Sequence, residues 1–358
     1  MASPPPIPYP TRRLGRHGPA VSAIGLGAGS ISGSFYGPAD ADTVFQMLTT
    51  AADTGVTFWD TSDFYDKSEA ILGDWFVKTG RRSEIFLATK FGLAVSREEG
   101  AAPVAKLCSE PAHIRGSVAK SLETLKTDYI DLYYQHKVDP DTPIEVVLST
   151  LLPFLESGVI KYLALSDCSP ATLRRAKDYG GLASERLVAI QREYSPFETV
   201  IERNGVLDAA KELGVAVVAY SPLGKGMLTG RCVSPADLTP ADARRNMPRF
   251  SAENFAHNIT LLPVFEDIAA KHGVTSGQVA LAWILAQGDY FIPIPGTTNP
   301  ARLLSNSAAA HLVLSPDEVK RIRTHVEESG VHGERSVFLS PGDCVGLDEW
   351  ESVKEGSS

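Results

Sequence analysis

The sequence predicts a single α/β domain in which eight parallel strands and their helices close into a (β/α)8 TIM barrel. Short apolar runs recur near residues 24–27, 56–60, 84–90, 129–135, 160–165, 187–191, 215–220 and 291–294. Runs of this length without strict alternation suit strands covered on both faces. Stretches with recognisable helix starts lie between them. The alternation runs without a break, which favours a closed barrel over a doubly wound sheet. The chain has 358 residues, enough for the roughly 250 that such a barrel takes as one unit.

Taken in order, residues 1–11 form a proline-rich flexible tail. It lacks the basic start and apolar core of a signal peptide. Gly15 and Gly18-Pro19 between short β-like pieces over residues 12–24 predict a hairpin. Thr142-Pro143-Ile144-Glu145 and Ser315-Pro316-Asp317-Glu318 both read as a capping box with proline at the first helical position, and Ser169-Pro170 is half of one. In the helix after Pro111, Ile114, Val118, Leu122 and Leu125 share a face. Two stretches exceed simple connections: residues 222–258 after the seventh strand, and the tail 329–358. Segments this long in a compact unit are functional lids or disordered. The barrel unit is therefore placed at 12–328, with the tail over or beside its mouth.

A net charge of −9 with 22 % charged residues argues against a nucleic acid or an anionic membrane as partner. An anionic cofactor would need a local basic cluster. The four cysteines, Cys108, Cys168, Cys232 and Cys344, are scattered without a C-x-x-C pair. They predict neither a disulfide framework nor a metal site, and a reduced, cytoplasmic setting. The most apolar run, Val279 to Ala286, is too short to span a bilayer.

The chemistry centres on Phe58-Trp59-Asp60-Thr61-Ser62-Asp63-Phe64-Tyr65. It reads as a strand ending at Asp60, with Tyr65 on the loop beyond. Lys90 ends the next strand, and His136 follows the strand of residues 129–135. In a barrel all carboxyl ends share one face, so the four side chains can converge. A free phenol has a pKa of about 10, and a neighbouring ammonium lowers it. Asp60 would hold Lys90, and His136 would orient a substrate oxygen. Singly, each residue suits a cap, a packing ring, a surface charge or a core histidine. Together, at three successive strand ends, they describe a site that protonates a carbonyl oxygen.

On these residues, with Ser68-Glu69-Ala70-Ile71-Leu72-Gly73 and Tyr129-Ile130-Asp131-Leu132-Tyr133, the chain resembles the aldo-keto reductases over roughly residues 12–328. The resemblance implies the (β/α)8 barrel, NADP(H) as cofactor, a small-molecule carbonyl substrate, and Asp60, Tyr65, Lys90 and His136 as the catalytic tetrad with Tyr65 as general acid. It further implies Ser166, Asp167 and Gln191 at the nicotinamide carboxamide, and Tyr220 stacked on the ring. Ser221, Leu223 and Lys225 fall at the pyrophosphate, and Gly296, Thr298, Arg302 and Asn306 at the 2′-phosphate and adenine. Thr298 and Asn299 stand where many relatives carry Lys or Arg, which leaves Arg302 as the main 2′-phosphate partner, bidentate by geometry. Substrate choice would rest on residues 28–36, 91–110, 222–258 and the tail, with Trp59, Phe64, Phe91 and Phe338 as apolar wall candidates, although Trp59 and Phe91 better suit core packing.

Two other readings fit less well. A Rossmann dehydrogenase needs G-x-G-x-x-G after its first strand, and Ser30 occupies the last glycine's place after Gly25-Leu26-Gly27. Tyr133 to Lys137 spells the Y-x-x-x-K of short-chain dehydrogenases, but that motif needs a helix to bring both side chains to one side. A redox-sensing regulatory subunit on the same fold would not need an intact tetrad.

Overall fold

The computed structural model describes residues 8–33, 35–96, 104–335 and 342–355. Its strands in chain order are β1 (Thr11–Arg13), β2 (Ala20–Ser22), β3 (Leu26–Gly27), β4 (Phe58–Asp60), β5 (Phe86–Phe91), β6 (Leu93–Ser96), β7 (Val104–Leu107), β8 (Ile130–Gln135), β9 (Ile160–Ser166), β10 (Leu187–Glu193), β11 (Ala216–Tyr220) and β12 (Phe291–Pro293). Eight of them form one parallel sheet in the order β12-β11-β10-β9-β8-β5-β4-β3. These are the eight runs expected from the sequence. β8 and β10 are buried along their whole length, which is why they read as continuous apolar runs.

The sheet curls until its edges meet. Gly25 N–H donates to the Pro293 carbonyl at 2.9 Å, and Gly27 N–H to the Pro295 carbonyl at 3.2 Å. Only glycine allows this approach. A β-carbon on Gly27 would lie 2.7 Å from the Ile294 carbonyl oxygen, and one on Gly296 would lie 2.9 Å from the Gly27 oxygen.

The predicted hairpin is present as β1 paired antiparallel with β2. Leu14 and Val21 pack with the barrel-lining residues Phe58, Ala88, Leu132, Val188, Ala216, Val218 and Ile292. Arg16 N–H donates to the Gly214 carbonyl ahead of β11, so the hairpin stoppers the amino end of the barrel and leaves the carboxyl end for chemistry.

Helices cover the outside. The Ser315 capping box forms, and Ser169 accepts from Thr172 N–H at 3.1 Å. The box expected at Thr142 does not form. The Thr142 hydroxyl donates to Asp139 Oδ2 at 3.0 Å, and helix Ile144–Glu156 starts without a side-chain cap. Two further elements were not anticipated. β6 and β7 pair as an antiparallel hairpin within residues 91–110. The stretch 222–258 holds a run of 3-10 turns and helix Ala252–Asn258. The tail carries helix Leu347–Glu355; Phe338 lies outside the described residues. No helix among the described residues is long and apolar enough to cross a membrane.

Candidate active site

β4, β5 and β8 are neighbours in the sheet, and their register sets the site. Asp60 lies beside Ala88, and Lys90 beside Tyr134. Lys90 is fully buried and ion-paired to Asp60, which is 2 % exposed. Its ammonium also donates to the Thr61 carbonyl at 2.7 Å. Gln191 Nε2 donates to the other Asp60 oxygen at 2.7 Å. The Lys90 ammonium stands 5.3 Å from the centre of the Tyr65 ring and 5.2 Å from that of Tyr134. The His136 ring meets Tyr65 edge-on at 5.5 Å. The four residues expected to act together are thus one cluster. Gly29 makes room for the phenol, because a β-carbon there would sit 3.3 Å from Tyr65 Cε2.

The electrostatics differ in one respect from the sequence reading. Burial raises the Tyr65 phenol; Lys90 opposes this, and Asp60, Asp167 and Asp63 add to it. The net direction is upward, so Tyr65 holds its proton. Lys90 has its own charge offset by Asp60, which limits its pull. Burial lowers Lys90, while Asp60 and Tyr65 more than compensate and hold it above the ordinary lysine value. His136 is pushed well below the ordinary histidine range by burial and by the charges of Lys90 and Lys137. Its ring is neutral at neutral pH.

A cleft of about 660 Å3 opens over this cluster. Tyr65, Asp60, Gln191, Tyr220, Ser221, Leu223, Lys225, Gly296, Thr298, Arg302 and Asn306 line it. Lys90, His136, Ser166 and Asp167 lie buried at the strand ends and are not part of that lining. Gly27 to Ser30 bound one wall and Ile294 to Thr298 another. The loop after β3 and the segment 222–258 meet across the cleft: Ala243 N–H donates to the Phe35 carbonyl at 3.0 Å, and Phe35 packs edge-on against Tyr65. Ser221 and Lys225 both adopt positive φ, as does Asp167, a strained backbone typical of ligand-binding loops.

Polar groups in the cleft divide into two kinds. Lys225 is committed to Glu193 at 2.6 Å. Arg302 and Arg231 line the cleft with no carboxylate partner among the described residues. Burial, then the Arg231 charge, push the Arg302 guanidinium down. Asn299 is taken up as the cap of helix Pro300–Ala308, accepting from Arg302 N–H at 3.1 Å.

Sequence reasoning missed a charged cluster behind Tyr220. Asp167 is 1 % exposed and pairs with Lys137, with Arg192 at 3.6 Å and with Arg335 at 3.8 Å. Arg335 donates to the Tyr220 hydroxyl at 2.7 Å and reaches Glu193 at 3.4 Å. Lys137, from the Y-x-x-x-K spelling, is spent here. Tyr133 is buried in the core, stacked on Phe91. Only the clustering of charge at strand ends could have hinted at this network; Arg335 carries no local signal.

The model of the Aldo/keto reductase family matches residues 23–327, and the chain belongs to that family. It is an oxidoreductase by this membership. It is 43 % identical over 340 residues to the aldo-keto reductase str7 of Strobilurus tenacellus, covering 93 % of this chain and 96 % of that one. The aldo-keto reductase yakc [NADP(+)] of Schizosaccharomyces pombe is also 43 % identical, over 91 % of this chain and 94 % of its own. Among solved structures, the glycerol dehydrogenase AKR11B4 of Gluconobacter oxydans aligns with a TM-score of 0.79 at 28 % identity, over 92 % of this chain and 99 % of that one.

Proposed function

We propose that this protein reduces an aldehyde or ketone to an alcohol with NADPH. The observation that carries the reading is the convergence of Asp60, Tyr65, Lys90 and His136 at one end of a cleft whose walls include two arginines without a carboxylate partner among the described residues. The cleft suits an extended dinucleotide. Its glycine-lined seam at Gly27 and Gly296 admits a close-lying backbone, the buried Ser30 hydroxyl on its wall has no partner among the described residues, and Arg302 with Arg231 supplies the basic cluster that an acidic chain must provide locally. The printed name of the S. pombe relative, which includes NADP(+), supports the same cofactor.

When bound, NADPH supplies the hydride that a carbonyl carbon accepts. Gln191 and Tyr220 would hold the nicotinamide end, Ser221 and Leu223 the pyrophosphate, with Lys225 beside it if it turns from Glu193, and Arg302 and Asn306 the 2′-phosphate and adenine. Ser166 and Asp167 would support the carboxamide side from behind. Tyr65 is protonated and lines the cleft, so it is the acid that gives its proton to the substrate oxygen. The nearby Lys90 ammonium stabilises the phenolate as it forms. Neutral His136 orients the oxygen by hydrogen bonding.

The test is Tyr65→Phe. Turnover of an aromatic aldehyde, followed by NADPH oxidation, is expected to fall by about 10²- to 10⁴-fold, with NADPH affinity near wild type. Normal turnover in the variant would reject the assignment.

A further inference from the structure

Ser62 sits between His136 and Asp63, and its one hydroxyl proton has two acceptors within reach. Oγ lies 2.9 Å from His136 Nδ1 and 3.3 Å from Asp63 Oδ1. It also accepts from Phe64 N–H at 3.1 Å, which fixes the oxygen in place. Ser62 is fully buried and His136 is 9 % exposed, so bulk water does not compete freely for the serine–imidazole bond, whereas the half-buried Asp63 keeps some access to solvent.

A neutral imidazole carries one ring proton, on Nδ1 or on Nε2. With Nδ1 turned to Ser62, Nε2 is the nitrogen left for a substrate oxygen. It can donate only in the Nε2–H form, which requires Nδ1 to accept. We propose that Ser62 is a positioning residue that selects the His136 tautomer. Its hydroxyl donates to Nδ1 and so keeps the ring proton on Nε2, and it releases this hold when Asp63 becomes charged and draws the hydroxyl proton away. The number of protons on His136 does not change, only their place. The inference rests on the reductase reading of the site.

The groups around Asp63 set where the exchange occurs. Burial raises its carboxyl to about 7, aided by Glu69 of helix Ser68–Thr79. Ser62, Lys120 of helix Pro111–Leu125 and Lys90 of β5 pull the other way. Below that pH, Asp63 is neutral and His136 offers a donor to a carbonyl oxygen, as reduction needs. Above it, Nε2 offers a lone pair, which suits accepting a hydrogen bond from an alcohol hydroxyl. The hydrogen bond that His136 offers a substrate oxygen is thereby tied to a carboxyl outside the tetrad.

The experiment is NMR of the full chain labelled with 15N-histidine, with His136 identified by the signal lost in His136→Gln. Spectra run from about pH 5.5 to about pH 8.5, spanning the histidine range. Wild type is expected to be Nε2–H at the acid end and to shift toward Nδ1–H through about pH 7. Asp63→Asn is expected to stay Nε2–H throughout. Ser62→Ala should lose the pH response and lower kcat for reduction roughly 10-fold, on the scale of one hydrogen bond, with KM for NADPH unchanged; Ser62→Thr should restore both. An Nδ1–H ring in wild type at the acid end, or the same pH response in Asp63→Asn, would overturn the proposal. Should Ser62→Ala fail to fold, wild type against Asp63→Asn decides. The spectra need no turnover, so a Tyr65→Phe variant with normal activity defeats the reductase reading separately. Loss of activity in Tyr65→Phe with an unmoved tautomer defeats the role of Ser62 alone.

Discussion

Asp60→Asn isolates the buried ion pair beneath the Tyr65 ring. Asp60 and Lys90 are 2 % and 0 % exposed, so neither charge has water as a fallback. With an amide in place of the carboxylate, the Lys90 ammonium loses its counter-charge; one oxygen must serve where two did, and turned to Lys90 it leaves the amide NH2 against the Gln191 donor, while the Thr61 carbonyl at 2.7 Å stays. Gln191 Nε2 now faces an amide rather than a carboxylate. Removing one partner of a buried pair costs about 3–5 kcal/mol, a large share of the roughly 5–15 kcal/mol that separates folded from unfolded domains. Equilibrium urea unfolding at neutral pH is expected to show this loss. The sign of its pH dependence follows. Burial lowers the Lys90 pKa once Asp60 no longer raises it, so the folded variant sheds this proton before the unfolded chain does. In that window the unfolded state binds more protons, and Asp60→Asn gains stability as pH rises toward the lysine range. Adding Lys90→Met removes the stranded charge and should recover most of the loss, a coupling that a double-mutant cycle reads directly. A single variant within about 1 kcal/mol of wild type, or a double variant less stable than the single, would refute the account of this pair.

Two further outcomes are expected. Arg302→Ala should narrow the ratio of kcat/KM for NADPH over NADH by about 10- to 100-fold, the size of a charge-assisted hydrogen bond to phosphate; an unchanged ratio would move the role to Arg231. Asp63, raised from 3.8 to about 7, is more easily ionised in the unfolded chain, so its contribution to stability falls as pH rises from about 4 to about 7. Asp63→Asn should remove up to roughly 4 kcal/mol of that slope, measured as the difference in unfolding free energy between the two proteins across the window. A parallel pair of pH curves would contradict the burial of this carboxyl.

The eight strands were legible because burial on both faces leaves an unbroken apolar run, and β8 and β10 are extreme cases. Asp60, Lys90 and His136 were legible for a related reason: each interrupts or ends such a run, where a polar side chain has no packing role. Other features depended on the third dimension. Thr142 looked like a cap, but Asp139, three residues back, takes its hydroxyl. The β6–β7 hairpin pairs Leu93–Ser96 with Val104–Leu107, segments too short to stand out beside the polar stretch between them. The net effect on Tyr65 turned on how deeply the ring is buried, which composition does not report. Arg335 is 168 residues from Asp167 along the chain, and nothing near it in sequence announces that it reaches Tyr220. Ser62 and Asp63 were in view from the start as parts of a turn, yet their bond and proximity to His136 required β4 and β8 to be placed.

The seam between β3 and β12 has a consequence for assembly. The cleft straddles it, drawing one wall from Gly27 to Ser30 and another from Ile294 to Thr298, residues that enter the chain at opposite ends. A ligand lodged there acts as a clasp on the cylinder, holding shut the join between its first and last strands. Amide protons of Gly25 and Gly27 should therefore exchange more slowly when the cleft is filled, and a fragment lacking the final strand should lose its grip on any ligand of the cleft even if the remaining sheet persists.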